Sequence, residues 1–472
     1  MMQRRLTEAD QESAQYEWLR EMFPERARPV GFYPLPTTRS DVPFDPNWVG
    51  KYTDGERTRL LYFHVPFCNQ RCHYCRFYPG PNSRGIEERF LTGAVEQLTW
   101  WGSVLGDQPT NVSAAFFGGG SPSALTPGGM SALFDAIRGA FKVASDAEIT
   151  MEWYPADGDA DKFDTAIEHG VTRFSIGAQS WNPKVLKALG CHHDPKQVDH
   201  LLEMLRNRQI DNFNVDLMSN VPGQNLDDHL ADVQRAASMG AAMISTNILE
   251  LASGTPYSAI GGTEAGSAEK RRWLYETSRA LHGLGYTNQR ARNFYRDDHL
   301  HRYNRLCSGL GFDIIPVGPG AYGYVDGMPV ISEPDRALWQ QHAAAGAVSG
   351  YSRTSDAELR RAFVVNSLLE LGLDADVYSR LFRASPFDDF SMLAELRDRG
   401  VLREEASAWR LSQTGIEFAD DINVSMYSNI QRDLFARHLR TGRSKQQSQY
   451  FPVALSDADC TRPDPSTVGT IS

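Results

Sequence analysis

Three cysteines within eight residues are the strongest chemical signal in the sequence. Cys68-Asn-Gln-Arg-Cys72-His-Tyr-Cys75 follows the apolar run LLYFHV at 60–65, so the thiols lie on a loop that leaves a predicted strand. Three thiolates at this spacing can each bind one iron of a four-iron cluster, which leaves the fourth iron open to an exogenous ligand. A tetrahedral zinc site needs a fourth ligand nearby, for which His73 is the candidate. The spacing therefore favours a [4Fe-4S] cluster over a zinc site or free cysteines.

Other candidate residues lie at or near the ends of predicted strands. FFGGGSP at 116–122 has bare glycines that let backbone groups approach a ligand closely, although a triple glycine is also common in ordinary turns. Glu152, Gln179 and Asp216 lie in or after apolar runs, where a buried carboxylate needs a partner. Tyr62 and His64 share one face of the first strand, because side chains alternate along a strand. Taken alone, each of these residues is equally compatible with a structural role.

A parallel sheet is the element that can bring these residues together. Six apolar runs of strand length alternate with longer stretches of helical spacing, at 60–65, 113–118, 148–153, 173–178, 212–217 and 243–248. Six strand–helix units predict an α/β fold with an open, partial (β/α)6 barrel. In such barrels the functional residues gather where the strands end.

The chain divides into five predicted segments. Residues 1–55 predict a proline-rich arm with one short helix, and residues 56–290 form the barrel. Residues 291–350 predict a connecting segment that contains the Gly/Pro-rich loop FDIIPVGPGAYGYV. Residues 351–435 predict a smaller helical or winged-helix-like domain, because amphipathic stretches precede a short hairpin pattern. Residues 436–472 are polar and aperiodic, which predicts a disordered tail that contains Cys460.

Composition narrows the class of protein. The 472-residue chain has a formal net charge of −11, which argues against a nucleic-acid partner. Its start is charged and no stretch approaches the ~20 apolar residues that cross a bilayer, so we expect a cytoplasmic protein without a membrane partner. Six cysteines are too few for a disulfide scaffold and favour metal ligation in a reducing compartment.

The stretch YFHVPFCNQRCHYC resembles the cluster loop of the radical S-adenosylmethionine (SAM) superfamily. It is most similar to the branch typified by oxygen-independent coproporphyrinogen III oxidase, and the resemblance extends from about Leu60 to about Tyr427. It implies a partial (β/α)6 barrel with a helical C-terminal domain. It also implies that a cluster held by Cys68, Cys72 and Cys75 reductively cleaves SAM, with electrons from an external donor such as flavodoxin or ferredoxin.

The resemblance further implies roles for single residues. Tyr62 and His64 lie against cofactor and substrate. Tyr322, in the Gly/Pro-rich loop, matches a position that helps to bind a second SAM. The residues whose counterparts contact the first SAM are Tyr74, Gly119, Gly120, Ser121, Glu152, Gln179 and Asp216.

Three departures from the family pattern bear on the reaction. Cys75-Arg76-Phe77 lacks the fourth cysteine that follows the cluster loop of the oxidases, and Cys191 replaces an arginine of their SAM site. Tyr303 replaces a histidine that ligates haem in the related haem chaperones. Cys191 also lies beside His192 and His193, and we predict a catalytic role for it.

These departures favour the class C radical methyltransferases within the branch. Such enzymes use two SAM molecules to transfer a methyl or methylene group to an sp2 carbon of a small molecule, by methylation or cyclopropanation in natural-product biosynthesis, sometimes beside a partner methyltransferase. Two alternatives stay open: an oxygen-independent coproporphyrinogen III dehydrogenase, and a HemN-like protein that binds or degrades haem.

Overall fold

A computed structural model of the protein describes residues 8–28, 33–34, 44, 57–75, 80–105, 111–251, 254–296, 299–307, 310–351, 354–370, 372–405 and 408–440. The predicted disordered tail lies outside these residues from 441 onwards. Among the helices in the described ranges, none combines the length and apolarity needed to cross a membrane.

The strands are β1 (Thr58–Val65), β2 (Val112–Gly119), β3 (Val143–Trp153), β4 (Arg173–Gln179), β5 (Phe213–Ser219), β6 (Met243–Ile248), β7 (Tyr286–Arg290), β8 (Asn293–Arg296), β9 (Phe312–Val317), β10 (Tyr322–Val325), β11 (Met328–Ser332), β12 (Val348–Tyr351), β13 (Gly372–Leu373), β14 (Leu402–Glu405) and β15 (Ala408–Leu411). The helices are α1 (Glu8–Met22), α2 (Arg84–Leu105), α3 (Pro127–Ala140), α4 (Ala160–Glu168), α5 (Pro183–Leu189), α6 (Pro195–Asn207), α7 (Leu226–Ser238), α8 (Pro256–Ala259), α9 (Ser267–Gly283), α10 (Arg302–Leu306), α11 (Arg336–His342), α12 (Asp356–Leu369), α13 (Ala375–Phe382), α14 (Pro386–Asp389), α15 (Ser391–Asp398), α16 (Gln413–Glu417), α17 (Ala419–Ser425) and α18 (Asn429–Arg440).

Local sequence signals set where the barrel helices begin and end. The Thr126 hydroxyl accepts a hydrogen bond from the Gly129 amide and caps α3, which has proline at its first position. Asp194 and Gln197 form a capping box at the start of α6. Gly190 ends α5 in the left-handed conformation that glycine adopts without strain. These caps fix the helices that cross over between neighbouring parallel strands.

The six predicted strands are β1 to β6, and they run parallel as successive neighbours in one large sheet. Both faces of these strands are buried, which suits their apolar sequences. The predicted α/β fold with six parallel strand–helix units is thus confirmed. The carboxyl ends of all six strands, and the candidate residues that follow them, lie at one edge of this sheet.

The sheet also extends beyond the predicted barrel. Strand β9, from the predicted connecting segment, pairs in parallel with β1, and β10 to β12 continue antiparallel beyond it. At the other edge β8 and β7 follow β6. The segment predicted as a Gly/Pro-rich connection is therefore largely sheet. Its run FDIIPV is buried at every residue, as in an interior strand, and the neighbouring prolines and glycines obscured this pattern.

The C-terminal unit has its own apolar core. Helices α12 to α18 accompany a three-stranded sheet in the order β13-β15-β14, whose β14–β15 hairpin corresponds to the predicted one. Helix α1 packs here: Leu19 is fully buried and Tyr16 makes an edge contact with Phe418. The N-terminal arm therefore belongs to this unit as much as to the barrel. Helix α18 continues to Arg440, five residues into the segment predicted as a tail.

Candidate functional site

The three-cysteine loop leaves β1 and is held by backbone hydrogen bonds. Cys68 donates to the Gly80 carbonyl at 3.2 Å and accepts from the Asn82 amide at 3.1 Å. The Cys75 amide donates to the Cys72 carbonyl at 3.3 Å. All three cysteines are partly exposed. The loop thus presents its thiols at the carboxyl end of the parallel strands.

The donor set fits an iron–sulfur cluster. Burial, followed by the neighbouring Cys75 and Cys72 thiols, raises the pKa of Cys68, so the three sulfurs lie within electrostatic range of one another. Cationic iron offsets this repulsion when it binds thiolates. In the described part of the chain, no three His, Cys, Asp or Glu side chains surround a single metal position. A cluster needs no such convergence, because each thiolate binds a different iron.

The glycine loop after β2 is pressed against the strand that leads to the cysteines. A Cβ atom on Gly120 would lie 2.3 Å from the Phe67 carbonyl oxygen, so only glycine fits there. The Gly120 amide donates to the Val65 carbonyl at 2.8 Å, and the Ser121 amide donates to the Phe67 carbonyl at 2.9 Å. Since both amides are used internally, the loop can offer carbonyl oxygens to an ammonium group.

Asp157, which follows β3, joins this loop to the cysteine loop. Its carboxylate accepts hydrogen bonds from Ser123 at 2.8 Å, from Ser121 at 3.2 Å and from the Asn69 amide group at 2.8 Å. Sequence reasoning missed this residue. The available signal was an acidic residue a few positions after the predicted strand at 148–153.

Tyr62 and His64 lie together on β1, as predicted. The Tyr62 hydroxyl hydrogen bonds to His64 Nδ1 at 3.2 Å, and the Tyr62 ring stacks on Phe116 with centroids 6.2 Å apart. Burial lowers the pKa of His64 to about 4, so its imidazole is neutral at pH 7. The Gly119 backbone lies directly against the His64 ring, which places this pair beside the glycine loop.

Two carboxylates face each other's charge from β3 and β5: Glu152 lies one residue before the end of β3, and Asp216 lies in the middle of β5. Burial, and then the charge of Asp216, raises the pKa of Glu152 to about 8, partly offset by a hydrogen bond from the Gly119 amide. Burial also raises the pKa of Asp216, which accepts a hydrogen bond from Ser175 at 2.8 Å. Both side chains are half-buried. A cationic ligand between them would lower both pKa values and gain from both charges.

The pKa of Glu152 predicts how stability depends on pH. Folding raises this pKa from 4.5 to about 8, so the native protein keeps a proton that the unfolded chain has lost, and stability falls as pH rises between these values. In cluster-free protein, Glu152→Gln is expected to flatten this fall between about pH 5 and pH 8, measured by urea unfolding. Glu203→Gln on α6, which alters an exposed carboxylate, is the control. Parallel pH curves for wild type and Glu152→Gln would contradict the assignment.

A chain of side-chain hydrogen bonds inside the barrel supports Asp216. Asn293 donates to Ser245, Ser245 to Asn214, and Asn214 to Ser175, each at 2.9 Å, and Ser175 donates to Asp216. These residues come from β8, β6, β5 and β4. Single polar residues in apolar runs are the only sequence signal for such a chain.

Three further residues were predicted to contact SAM, and each lies in a different environment. Gln179 ends β4 with a positive φ of 63°. Tyr74 packs partly buried in an apolar cluster with Val185 and Leu249. The Tyr322 ring is buried and its hydroxyl donates to the Pro34 carbonyl of the N-terminal arm at 3.1 Å. SAM contacts for these three residues stay predictions.

Cys191 lies directly beside the cysteine loop. The neighbouring Cys191 thiol lowers the pKa of Cys72. The backbone around Cys191 also contacts this loop, since the His73 amide donates to the Leu189 carbonyl at 2.8 Å. Of the neighbouring histidines, His193 is buried and hydrogen bonds through Nε2 to the Ala178 carbonyl at 2.9 Å. The turn that carries Cys191 thus packs against the cysteine loop.

Three thiols lie at the carboxyl ends of the parallel barrel strands, which is typical of an iron–sulfur protein with a barrel fold. Comparisons with known proteins support this class. Residues 62–236 match the family model of the radical SAM superfamily. The chain is 26% identical to anaerobilin synthase of Escherichia coli O157:H7 over 396 residues, which cover 80% of this chain and 86% of that protein. It is 31% identical to heme chaperone HemW of Mycobacterium tuberculosis over 272 residues, which cover 56% of this chain and 69% of that protein.

A solved structure shows the same fold. Coproporphyrinogen III oxidase (HemN) from Escherichia coli superposes with a TM-score of 0.73 over 84% of this chain and 96% of that one, at 21% identity. The chain belongs to the radical SAM superfamily, in its HemN-like branch. Membership implies a [4Fe-4S] cluster, as the cysteine spacing predicted, and SAM, as the family resemblance predicted. These comparisons do not support the predicted class C methyltransferase specificity or a role in natural-product biosynthesis.

Proposed function

We propose that the chain is a radical SAM enzyme that acts on haem or a closely related tetrapyrrole. The observation that carries this proposal is the match to anaerobilin synthase over 86% of that protein, which includes the barrel and extends beyond it. A bilin is an open-chain tetrapyrrole, so a macrocyclic tetrapyrrole is the substrate class that this likeness suggests. This function corresponds to the haem-degrading alternative raised by the sequence.

Burial of Tyr303 favours an enzyme over a haem-delivery protein. This residue stands where the related chaperones have a haem-ligating histidine, yet it is only 3% exposed. Its ring packs against Phe116 and His301, with centroids 5.6 Å and 6.1 Å away. Burial also moves the pKa of His301 well below its usual value. Neither side chain is available to haem iron at the surface.

Each group of residues in the site has a separate role. Cys68, Cys72 and Cys75 would hold the cluster, one thiolate to each of three irons. When bound, the cluster and SAM supply a carbon-centred radical. The glycine-loop carbonyls and Glu152 would face the positive charges of SAM. Tyr62 and the neutral His64 offer hydrogen bonds to the substrate and hold or release a proton at their ring and hydroxyl atoms.

Anaerobic turnover with haem tests the proposal. Reconstituted, reduced protein is incubated with SAM and haem, and both the haem absorbance and 5′-deoxyadenosine are followed over time. We expect the haem absorbance to fall in step with 5′-deoxyadenosine formation, and neither to change when SAM is omitted. Unchanged haem beside continued SAM cleavage would refute haem as substrate, and turnover of coproporphyrinogen III instead would assign the oxidase reaction.

Methyl or methylene transfer is the second candidate function. Cys191 in place of the oxidase arginine favours it, and it would use a second SAM near Tyr322 and, in some settings, a partner methyltransferase. SAM with a deuterated methyl group separates the candidates. Deuterium in 5′-deoxyadenosine would support hydrogen abstraction from a second SAM, whereas unlabelled 5′-deoxyadenosine during substrate turnover would exclude it. Either reaction draws electrons from an external donor of the flavodoxin or ferredoxin type.

A further inference from the structure

Asp157 contacts two loops of the site, one with each of its carboxylate oxygens. Oδ1 accepts a hydrogen bond at 2.8 Å from the side-chain amide of Asn69, in the cysteine loop. Oδ2 accepts from the Ser123 hydroxyl at 2.8 Å and from the Ser121 hydroxyl at 3.2 Å, at the end of the glycine loop. Each loop therefore depends on a different oxygen of the same side chain.

The contact with the glycine loop is the more rigid of the two. Asp157 ends the short helical turn Pro155–Asp157 after β3, where its amide donates to the Tyr154 carbonyl at 2.9 Å. Ser123 is fully buried, and its hydroxyl accepts from the Tyr154 amide at 3.1 Å while it donates to Asp157. By contrast, Asn69 is exposed to solvent. The carboxylate is therefore fixed on the glycine-loop side and reaches out to the cysteine loop.

The metal-binding residue Cys68 lies between two residues that are both linked to the glycine loop. On one side, the Phe67 carbonyl accepts a hydrogen bond from the Ser121 amide at 2.9 Å. On the other side, Asn69 is linked to the Ser121 hydroxyl through Asp157. A shift of the chain at Cys68 must therefore move the glycine loop or break one of these bonds.

We propose that Asp157 is a positioning residue that couples the two loops, so that a cluster bound by the cysteine loop prepares the glycine loop for SAM. Coupling between two binding sites is reciprocal, so SAM on the glycine loop also holds the cysteine loop in place. The inference rests on the cluster and SAM as cofactors, which membership of the family implies. It does not depend on haem as the substrate.

Asp157→Asn tests this coupling with little change in shape. A carboxamide has only one acceptor oxygen, so it cannot accept from Asn69 and from the serines with separate oxygens. In reconstituted protein with full iron content, we expect calorimetry to show SAM binding at least about fivefold weaker, the lower end of typical coupling between sites. Asp161→Asn makes the same chemical change at an exposed residue of α4 and should bind SAM like wild type. Wild-type affinity in Asp157→Asn would overturn the proposal.

A double-mutant cycle separates coupling from general destabilisation. Asn69→Ala removes only the donor on the cysteine loop, at an exposed position, and should also weaken SAM binding. Adding Asn69→Ala to Asp157→Asn should cause no further loss, because the link between the loops is already broken. Losses that simply add in the double variant would show that the two residues act independently and would overturn the proposal.

Hydrogen exchange in cluster-free protein provides a readout that needs neither cofactor. We expect Asn69→Ala to speed amide exchange in a peptide that spans residues 118–124, although the substituted residue lies in the other loop. Asp161→Asn should leave this exchange unchanged. Unchanged exchange in Asn69→Ala would overturn the proposal, and this holds even where a variant retains too little iron for calorimetry. Neither measurement involves haem, so failure here is distinguishable from failure of the haem reaction.

Discussion

Cys68→Ala is expected to yield a folded protein that holds no intact cluster and forms 5′-deoxyadenosine only at background rate. The side chain supplies one of three iron ligands, while its backbone hydrogen bonds to Gly80 and Asn82 survive the substitution. Iron and sulfide content, visible absorbance and 5′-deoxyadenosine formation measure the effect. It is the largest effect that a single substitution should have on the reaction, because radical formation depends on the cluster.

Cys307→Ala is the matched control for this loss. Cys307 is 4% exposed and packs in an apolar cluster with Leu60, Ile314 and Tyr324. Deleting its sulfur leaves a small cavity that costs on the order of 1 kcal/mol, without touching the cluster loop. Full cluster content in this variant, beside loss in Cys68→Ala, separates ligation from general destabilisation. A Cys68→Ala protein with normal iron and SAM cleavage would contradict the assigned ligand.

Gly120→Ala is expected to have the second-largest effect. The new methyl group would lie 2.3 Å from the Phe67 carbonyl, so the glycine loop or the chain before Cys68 must move. Overpacking of this kind costs about 1–3 kcal/mol of stability, measured by urea unfolding. A displacement of about 1 Å at a binding site can reduce catalysis about a hundredfold, so SAM binding and cleavage should fall far more than stability alone explains.

Gly128→Ala provides the comparison. Gly128 lies in the first turn of α3, and a Cβ atom there meets no atom within 4 Å. Alanine favours helix over glycine by about 1 kcal/mol, so this variant should be as stable as wild type or more so, with normal SAM binding by calorimetry. Wild-type SAM affinity in Gly120→Ala would show that the tight contact does not shape the cofactor site.

The fold was largely predictable because the parallel strands are easy to recognise in the sequence. Each of β1 to β6 is an apolar run with a crossover helix behind it, and both features are local in sequence. The cluster loop could be predicted equally well, since its three cysteine ligands lie within eight residues of one another. Strand β9 was missed because Pro316 and the following glycines resemble a loop, and only its pairing with β1 reveals a strand.

Contacts between distant segments were beyond sequence reasoning. Nothing near Asp157 indicates that its carboxylate joins two loops, and the hydrogen-bond chain to Asp216 depends on the register of four strands. The hydrogen bond between the His73 amide and the Leu189 carbonyl requires α5 to end beside the cluster loop. Sequence alone placed these residues near strand ends. Register and helix termination decided which of them touch.

The N-terminal arm has a consequence for the order of events during synthesis. Arg26 bonds Glu250 at 2.7 Å, after β6, and also pairs with Asp420 in α17, while the Ala27 amide donates to Asp421 at 2.6 Å. Arg26 and Asp420 are 394 positions apart in the sequence, so the arm cannot take its final position until the C-terminal unit has been synthesised. Its contacts with that unit therefore form after the parallel strands β1 to β6 have been made.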